Sequence, residues 1–92
     1  MTFCTVLEWD SAFPFDRYDE MNQRAQGHET LPEGCLTRIV GGADGAATII
    51  EVWRTGDDAR RFSDQHSHLL AEFAMPAPTR AAAFQTTIFQ TR

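Results

Sequence analysis

A single histidine stands on the side of an amphipathic helix that should be apolar. Between Ile49 and Pro76 the chain reads as a buried strand, Ile49-Ile50-Glu51-Val52-Trp53, a turn at Thr55-Gly56, and a helix from Asp57 to about Ala74. An advance of about 100° per residue gathers Ala59, Phe62, His66, Leu69, Leu70 and Phe73 into one arc, with Arg61, Asp64, His68 and Glu72 outside it. Imidazole titrates close to neutral pH, so His66 lining a cavity between helix and sheet would act as a general acid or base. The competing reading is a core histidine satisfied by local hydrogen bonds, as every buried polar group must be. Tyr18 and Asn22 on an earlier helix would donate to a carbonyl or enolate oxygen, with Trp9, Trp53 and Phe62 as the walls. Tyr18 also reads as a packed aromatic with a wet hydroxyl. Glu8 and Glu51 fit partners at a sheet face, or pairs with Arg38 or Arg54, better than a catalytic carboxylate dyad.

Those side chains need a scaffold, and the order of elements supplies one. Thr2 to Trp9 alternates Phe3, Thr5, Leu7 and Trp9 against Cys4, Val6 and Glu8, which predicts a strand apolar on both faces. Pro14 opens a helix that runs to about Gln26 and closes at Gly27, its inner arc holding Phe15, Tyr18, Met21, Asn22 and Ala25. After a polar loop from His28 to Gly34, Cys35 to Val40 forms a second strand, with Leu36, Arg38 and Val40 on one face and Arg38 exposed or paired at an edge. Gly41 to Gly45 turns it antiparallel into the strand ending at Trp53. No helix follows that glycine run, so it is a poor phosphate loop. Thr55, three residues before Asp58, has the spacing of a capping box. Pro76 and Pro78 end the second helix, and Arg80 to Thr91 alternates as a fourth strand. Asn22 and His66 occupy corresponding positions in the two halves, a match that any two amphipathic helices can produce by chance.

Length and charge limit the partners. At 92 residues, 1–92 is one domain, small enough that association with a second copy is plausible. A net charge of -5 with scattered Lys+Arg opposes nucleic-acid binding. No apolar run spans a bilayer and the N-terminus carries no basic leader, so a cytoplasmic protein is expected. Cys4 and Cys35 lack metal-ligand spacing and read as free thiols, so no metal site is expected.

The order strand, helix, strand, strand, helix, strand is that of the ferredoxin-like split βαβ fold, an α+β domain with both helices on one face of a four-stranded antiparallel sheet. Its other face, apolar at Val6 and Ile50, needs a cover, most simply a second copy. On Ile50-Glu51-Val52-Trp53 running into the second helix, on Phe62 followed by His66, and on Pro76-Ala77-Pro78 before the last strand, the chain resembles the dimeric α/β-barrel superfamily. Within it, the chain is most similar to small antibiotic-biosynthesis-monooxygenase-like proteins. The resemblance implies a homodimer whose subunits each hold a pocket between helices and sheet. It implies cofactor-independent chemistry on an apolar aromatic or polyketide-like substrate: cyclisation, isomerisation or oxygenation. Trp53 matches the tryptophan that ends the third strand in that family, and His66 a histidine of the second helix, with His68 as an alternative match. Ile49 stands where the quinone-forming monooxygenases carry an asparagine. The alternative function is a non-catalytic dimeric module, either ligand-binding or accessory to a larger enzyme.

Overall fold

A computed structural model of the chain describes residues 1–26 and 31–92. The elements are β1 (Phe3–Trp9), α1 (Phe15–Gln26), β2 (Cys35–Gly41), β3 (Ala47–Trp53), α2 (Gly56–Glu72) and β4 (Arg80–Gln85). They build one antiparallel sheet in the order β2-β3-β1-β4, the ferredoxin-like α+β arrangement. Gly27, expected to close α1, lies outside the described residues, as do His28, Glu29 and Thr30.

Register decides which face meets the helices. β1 sets Phe3, Thr5, Leu7 and Trp9 opposite Trp53, Glu51, Ile49 and Ala47 of β3. This face carries the core: Trp9, Phe13, Ala47 and Ile49 are buried together, with Leu7, Tyr18 and Met75 packed against them. Phe13 belongs to the segment read from sequence as a plain connector. Its ring sits 4.7 Å from Trp9 and from Phe15 and 5.5 Å from Tyr18, and its amide donates to the Gly45 carbonyl at 2.9 Å. An aromatic that no period identifies therefore joins α1 to the β2–β3 turn. The opposite face holds Cys4, Val6 and Glu8 beside Val52, Ile50 and Thr48, flanked by Thr37 and Ile39 on one side and Phe84, Ala82 and Arg80 on the other. Ile39 there is 56% exposed and Phe84 49% exposed.

Several sequence expectations are revised by these neighbours. The fourth strand stops at Gln85 rather than Thr91, because its only partner is β1 and that ladder ends at Phe3 opposite Gln85. Leu70 is 50% exposed although it lies in the predicted apolar arc, whereas Leu69 beside it is buried. Helix α2 touches the sheet along a narrower stripe than its composition allows, and burying Leu69 alone contributes about 1.5–3 kcal/mol. Phe15 is likewise exposed, since Phe13 fills the place under α1. A register shift between Cys35 and Thr37 leaves Leu36 exposed and out of line with Arg38. In the tight turn before β3, Gly42 is obligatory: a Cβ there would sit 2.0 Å from the Ala46 carbonyl oxygen.

The start of α2 is built around a buried carboxylate packed beside Gly34. Thr55 caps the helix by accepting from the Asp58 amide at 3.1 Å, as the Thr55/Asp58 spacing predicts. Asp58 does not complete a capping box. Its side chain turns inward between Arg54 at 3.2 Å and Arg61 at 2.9 Å. Gly34 makes room for it, since a Cβ at that left-handed position would lie 2.6 Å from the carboxylate carbon. Burial pushes the Asp58 carboxyl up, but hydrogen bonds from Arg54, Arg61 and Thr55 outweigh it and hold the group below the usual carboxylate range. A lowered folded-state value means stability that is present above the unfolded value, about 3.9, and lost as pH falls through the folded one. Asp58→Asn is thus expected to lower stability at neutral pH and to flatten the acid limb of a urea-midpoint profile. An acid limb unchanged by the substitution would show that the carboxylate is not what links α2 to pH.

Candidate functional site

Trp53, Phe62 and His66 form an aromatic column between the sheet and α2. Trp53 ends β3 between Phe3 and Cys35 and is 2% exposed. Phe62 tilts over it at 5.6 Å between ring centroids, and His66, one turn further, lies 4.4 Å from Phe62. The helical repeat sets the Phe62–His66 contact, as four-residue spacing places two side chains on one face. His66 is half-buried, with Nδ1 3.1 Å from the Phe62 carbonyl oxygen. A carbonyl can only accept, so Nδ1 carries the hydrogen and Nε2 of the neutral ring keeps its lone pair. The arrangement leaves a base. Below it, the Trp53 indole N–H is buried and has no hydrogen-bond partner among the described residues. Such an orphaned donor costs about 1–3 kcal/mol.

Beside this column the same sheet face is charged. Arg38 of β2 pairs with Glu51 of β3, directly opposite in the ladder, with Nη2 2.7 Å and Nε 2.8 Å from the same oxygen, Oε2. The two side chains are only 11% and 14% exposed. Both charges act on Tyr18 of α1. Burial pushes its phenol up, the Asn22 side chain pulls the other way by hydrogen bonding, and the charges of Arg38 and Glu51 act on it in opposite senses. The Cys35 thiol is also raised, first by burial and then by Glu51. Groups that titrate near one another in an apolar setting are the usual raw material of a functional site.

An open groove of ≈ 700 Å³ runs along this side of the sheet, lined by Met1, Phe3, Thr5 and Gln85 below and by Thr55, Gly56, Asp57, Ala59 and Arg60 above. Phe3 and Thr5 are the ladder partners of Trp53 and Glu51, but Trp53, Phe62, His66, Arg38 and Glu51 do not themselves line the groove. A smaller depression of ≈ 390 Å³ lies on the charged outer side of α2, lined by Asp57, Arg60, Arg61, Asp64 and Gln65.

The candidates from sequence fall into groups. Trp53, Phe62 and His66 stand together, whereas Tyr18, whose phenol is influenced by Asn22 and by the charges of Arg38 and Glu51, packs with Phe13 in the core cluster at the other end of the ladder. Trp9 stands apart: it pairs with Ala47 at the far end of the ladder from Phe3 and Trp53, and its indole donates to the Pro76 carbonyl at 2.9 Å. Six residues of strand separate the two tryptophans, about 20 Å. His68 is exposed. Glu8 faces away from the helices and pairs with Arg80 at 3.0 Å. The sequence places Arg38 at an edge, exposed or paired; it lies on the edge strand β2 and is paired with Glu51, half-buried. Two opposite charges inside otherwise apolar strands joined by one hairpin were the signal for it. Among the described residues no group of three or more His, Cys, Asp or Glu side chains is placed to hold a metal ion, and both cysteines are buried and free. Among the described residues no helix is long and apolar enough to cross a membrane.

No protein-family profile matches the chain, and no curated protein resembles it closely enough in sequence to be matched. Solved structures do match. A candidate antibiotic biosynthesis monooxygenase from Chloroflexus aurantiacus J-10-fl superposes with a TM-score of 0.69 at 15% identity, over 99% of this chain and 98% of the other. MupZ from Pseudomonas fluorescens gives 0.65 at 12% identity, covering 94% and 73%. The monooxygenase of the gene ActVA-Orf6 from Streptomyces coelicolor, solved with the ligand nanaomycin D, gives 0.60 at 15% identity, covering 98% and 91%. At these identities the likeness establishes the shared fold.

Proposed function

We propose that the chain is a cofactor-independent enzyme of a biosynthetic pathway that binds an apolar, aromatic or polyketide-like small molecule between its helices and its sheet. His66 removes or returns a proton there. The observation that carries this reading is the buried Trp53 N–H, unpartnered among the described residues, lying one aromatic ring away from an imidazole whose Nε2 is left as an acceptor. A ligand oxygen bound to Trp53 would relieve the orphaned donor, and the negative charge that develops on it as Nε2 takes a proton would be stabilised by that same N–H. Tyr18 and Asn22 supply further donors, and Phe62 with Trp53 supplies the flat apolar wall. Isomerisation and aldol-type cyclisation need only this proton transfer; oxygenation needs in addition that the substrate anion itself reduce dioxygen. The solved neighbours named as monooxygenases support the choice of chemistry.

A second copy completes the protein in this reading, by covering the apolar outer face at Val6, Ile50, Ile39 and Phe84 with its own. Two buried free thiols suit a reducing, cytoplasmic setting. The net charge of -5 suits a partner other than nucleic acid.

Titration with anthrone, a fused-ring ketone with an acidic methylene group, tests the binding half. Saturable quenching of tryptophan fluorescence is expected in the wild type, weakened about tenfold in Trp53→Phe, with sedimentation reporting a dimer throughout. Equal quenching in both proteins would remove Trp53 from the ligand site. One observation favours the second reading, a non-catalytic ligand-binding or accessory module: the Nδ1 of His66 is already satisfied by the Phe62 carbonyl. In that case anthrone binds, but its methylene protons exchange with solvent no faster than without protein.

A further inference from the structure

We infer that Arg38, held in place by Glu51, is a binding residue for a planar acid whose conjugate base shares its charge between two oxygens, such as an enolised β-dicarbonyl compound or a carboxylate. The inference rests on the ligand site proposed above and names the chemical class that site takes.

The guanidinium presents two edges to hydrogen-bond acceptors. In this protein the edge formed by Nε and Nη2 is spent on Glu51, and both bonds run to the one oxygen Oε2. The other edge, Nη1 with the remaining hydrogen of Nη2, bonds to no described residue. A guanidinium edge is a planar two-pronged donor, and its best complement is a pair of oxygens in one plane. Glu51 fixes the orientation of that fork before any ligand arrives, which lowers the ordering cost of binding.

Stability gives no sufficient reason for the pair. An ion pair withdrawn this far from water pays a desolvation penalty that offsets much of its attraction, and apolar residues of the same volume often serve a fold as well. Here the pair interrupts an apolar sheet face, between Ile49 and Trp53 along β3. Its surroundings are those of a recognition site. The phenol of Tyr18 is near enough for both charges to act on it, the Trp53 N–H, without a partner among the described residues, is two residues along the same face, and Thr5, on the other side of Glu51 in the ladder, lines the open groove beside α2. A fused-ring ligand lying on Trp53 and Phe62 would direct its oxygenated end towards Arg38. An aromatic wall with one directional cation distinguishes acidic ring systems from neutral ones of the same shape.

The test uses the full chain, calorimetric titration and two pairs of probes. Phenindione, an indanedione ionised at neutral pH, is compared with its mono-carbonyl analogue phenylindanone; naphthoate is compared with acetonaphthone. The wild type is expected to prefer the charged member of at least one pair, and the pair in which it does so separates the enolate source from the carboxylate source. Arg38→Lys retains a cation for Glu51 but loses the fork. It is expected to weaken the preferred anion roughly tenfold to a hundredfold, and to leave the neutral analogue within about twofold. The double variant Arg38→Met with Glu51→Met removes the pair without stranding a buried charge, and the same loss is expected, with circular dichroism reporting an intact fold. Equal binding of charged and neutral members by the wild type, or undiminished anion binding by both variants, overturns the role of Arg38 while the ligand site stands. Failure of all four probes to bind the wild type overturns the site and this inference together.

Discussion

Alanine at His66 is expected to slow turnover of a fused-ring phenol or ketone by roughly two to four orders of magnitude, the usual share of a positioned acid or base. The same substitution is expected to leave the fold in place. His66 is half-buried, its ring touches Phe62, and the Phe62 carbonyl retains the backbone partner that any α-helix gives it. The lost ring contact is worth about 0.5–1.5 kcal/mol, too little to unfold a domain of ordinary stability. His66→Asn sharpens the comparison, because its amide can donate to the same carbonyl yet offers no base. Both variants should therefore melt near the wild type and fail in catalysis alike, with binding of anthrone retained. Unchanged turnover in His66→Ala would refute the catalytic assignment, and loss of the fold in both variants would make the histidine a structural residue.

The second large effect is on stability. Trp53 is the most fully buried large side chain, held between Phe3 and Cys35 in the sheet and under Phe62. Trp53→Ala is expected to cost about 3–5 kcal/mol, which for a domain of this size is a fall in melting temperature of more than about 12 °C. Trp53→Phe is expected to cost no more than about 1.5 kcal/mol. The smaller ring loses volume, but it also removes a donor that the folded protein leaves unsatisfied. Urea unfolding of the two variants separates packing from polarity. A Trp53→Phe loss as large as that of alanine would mean that the indole N–H is satisfied in solution by an ordered water, and the ligand-donor role would lose its support.

Local pattern carried a great deal of this protein. Element order follows from periodicity and from a few stop signals, because a strand repeats every two residues and a helix every 3.6 residues. Thr55 capping α2 through the Asp58 amide, the glycine turn after β2 and the proline break after α2 are all effects of near neighbours in the chain, which is why they were legible. The contact of Phe62 with His66 was legible for the same reason, being one turn of one helix.

What remained undetermined was every quantity set by a partner distant in sequence. Alternation placed Phe3, Thr5, Leu7 and Trp9 on one side of β1, but only the packed structure makes that the side facing the helices. The end of β4 is decided by the length of β1, the exposure of Phe15 by Phe13, and the exposure of Leu70 by how α2 rolls onto the sheet. Trp9 and Trp53 look alike in sequence, each closing a strand before a helix, yet antiparallel pairing sends them to opposite ends of the ladder. The same pairing brings Arg38 against Glu51, thirteen residues later. Sequence alone established the kind of elements and the identity of the aromatic column's two helical members. Sequence offered Arg38 or Arg54 as the partner of Glu51; the tertiary structure selected Arg38 and set it, half-buried, beside the column, because cross-strand register depends on the sum of all the ladder contacts and no single residue reports it.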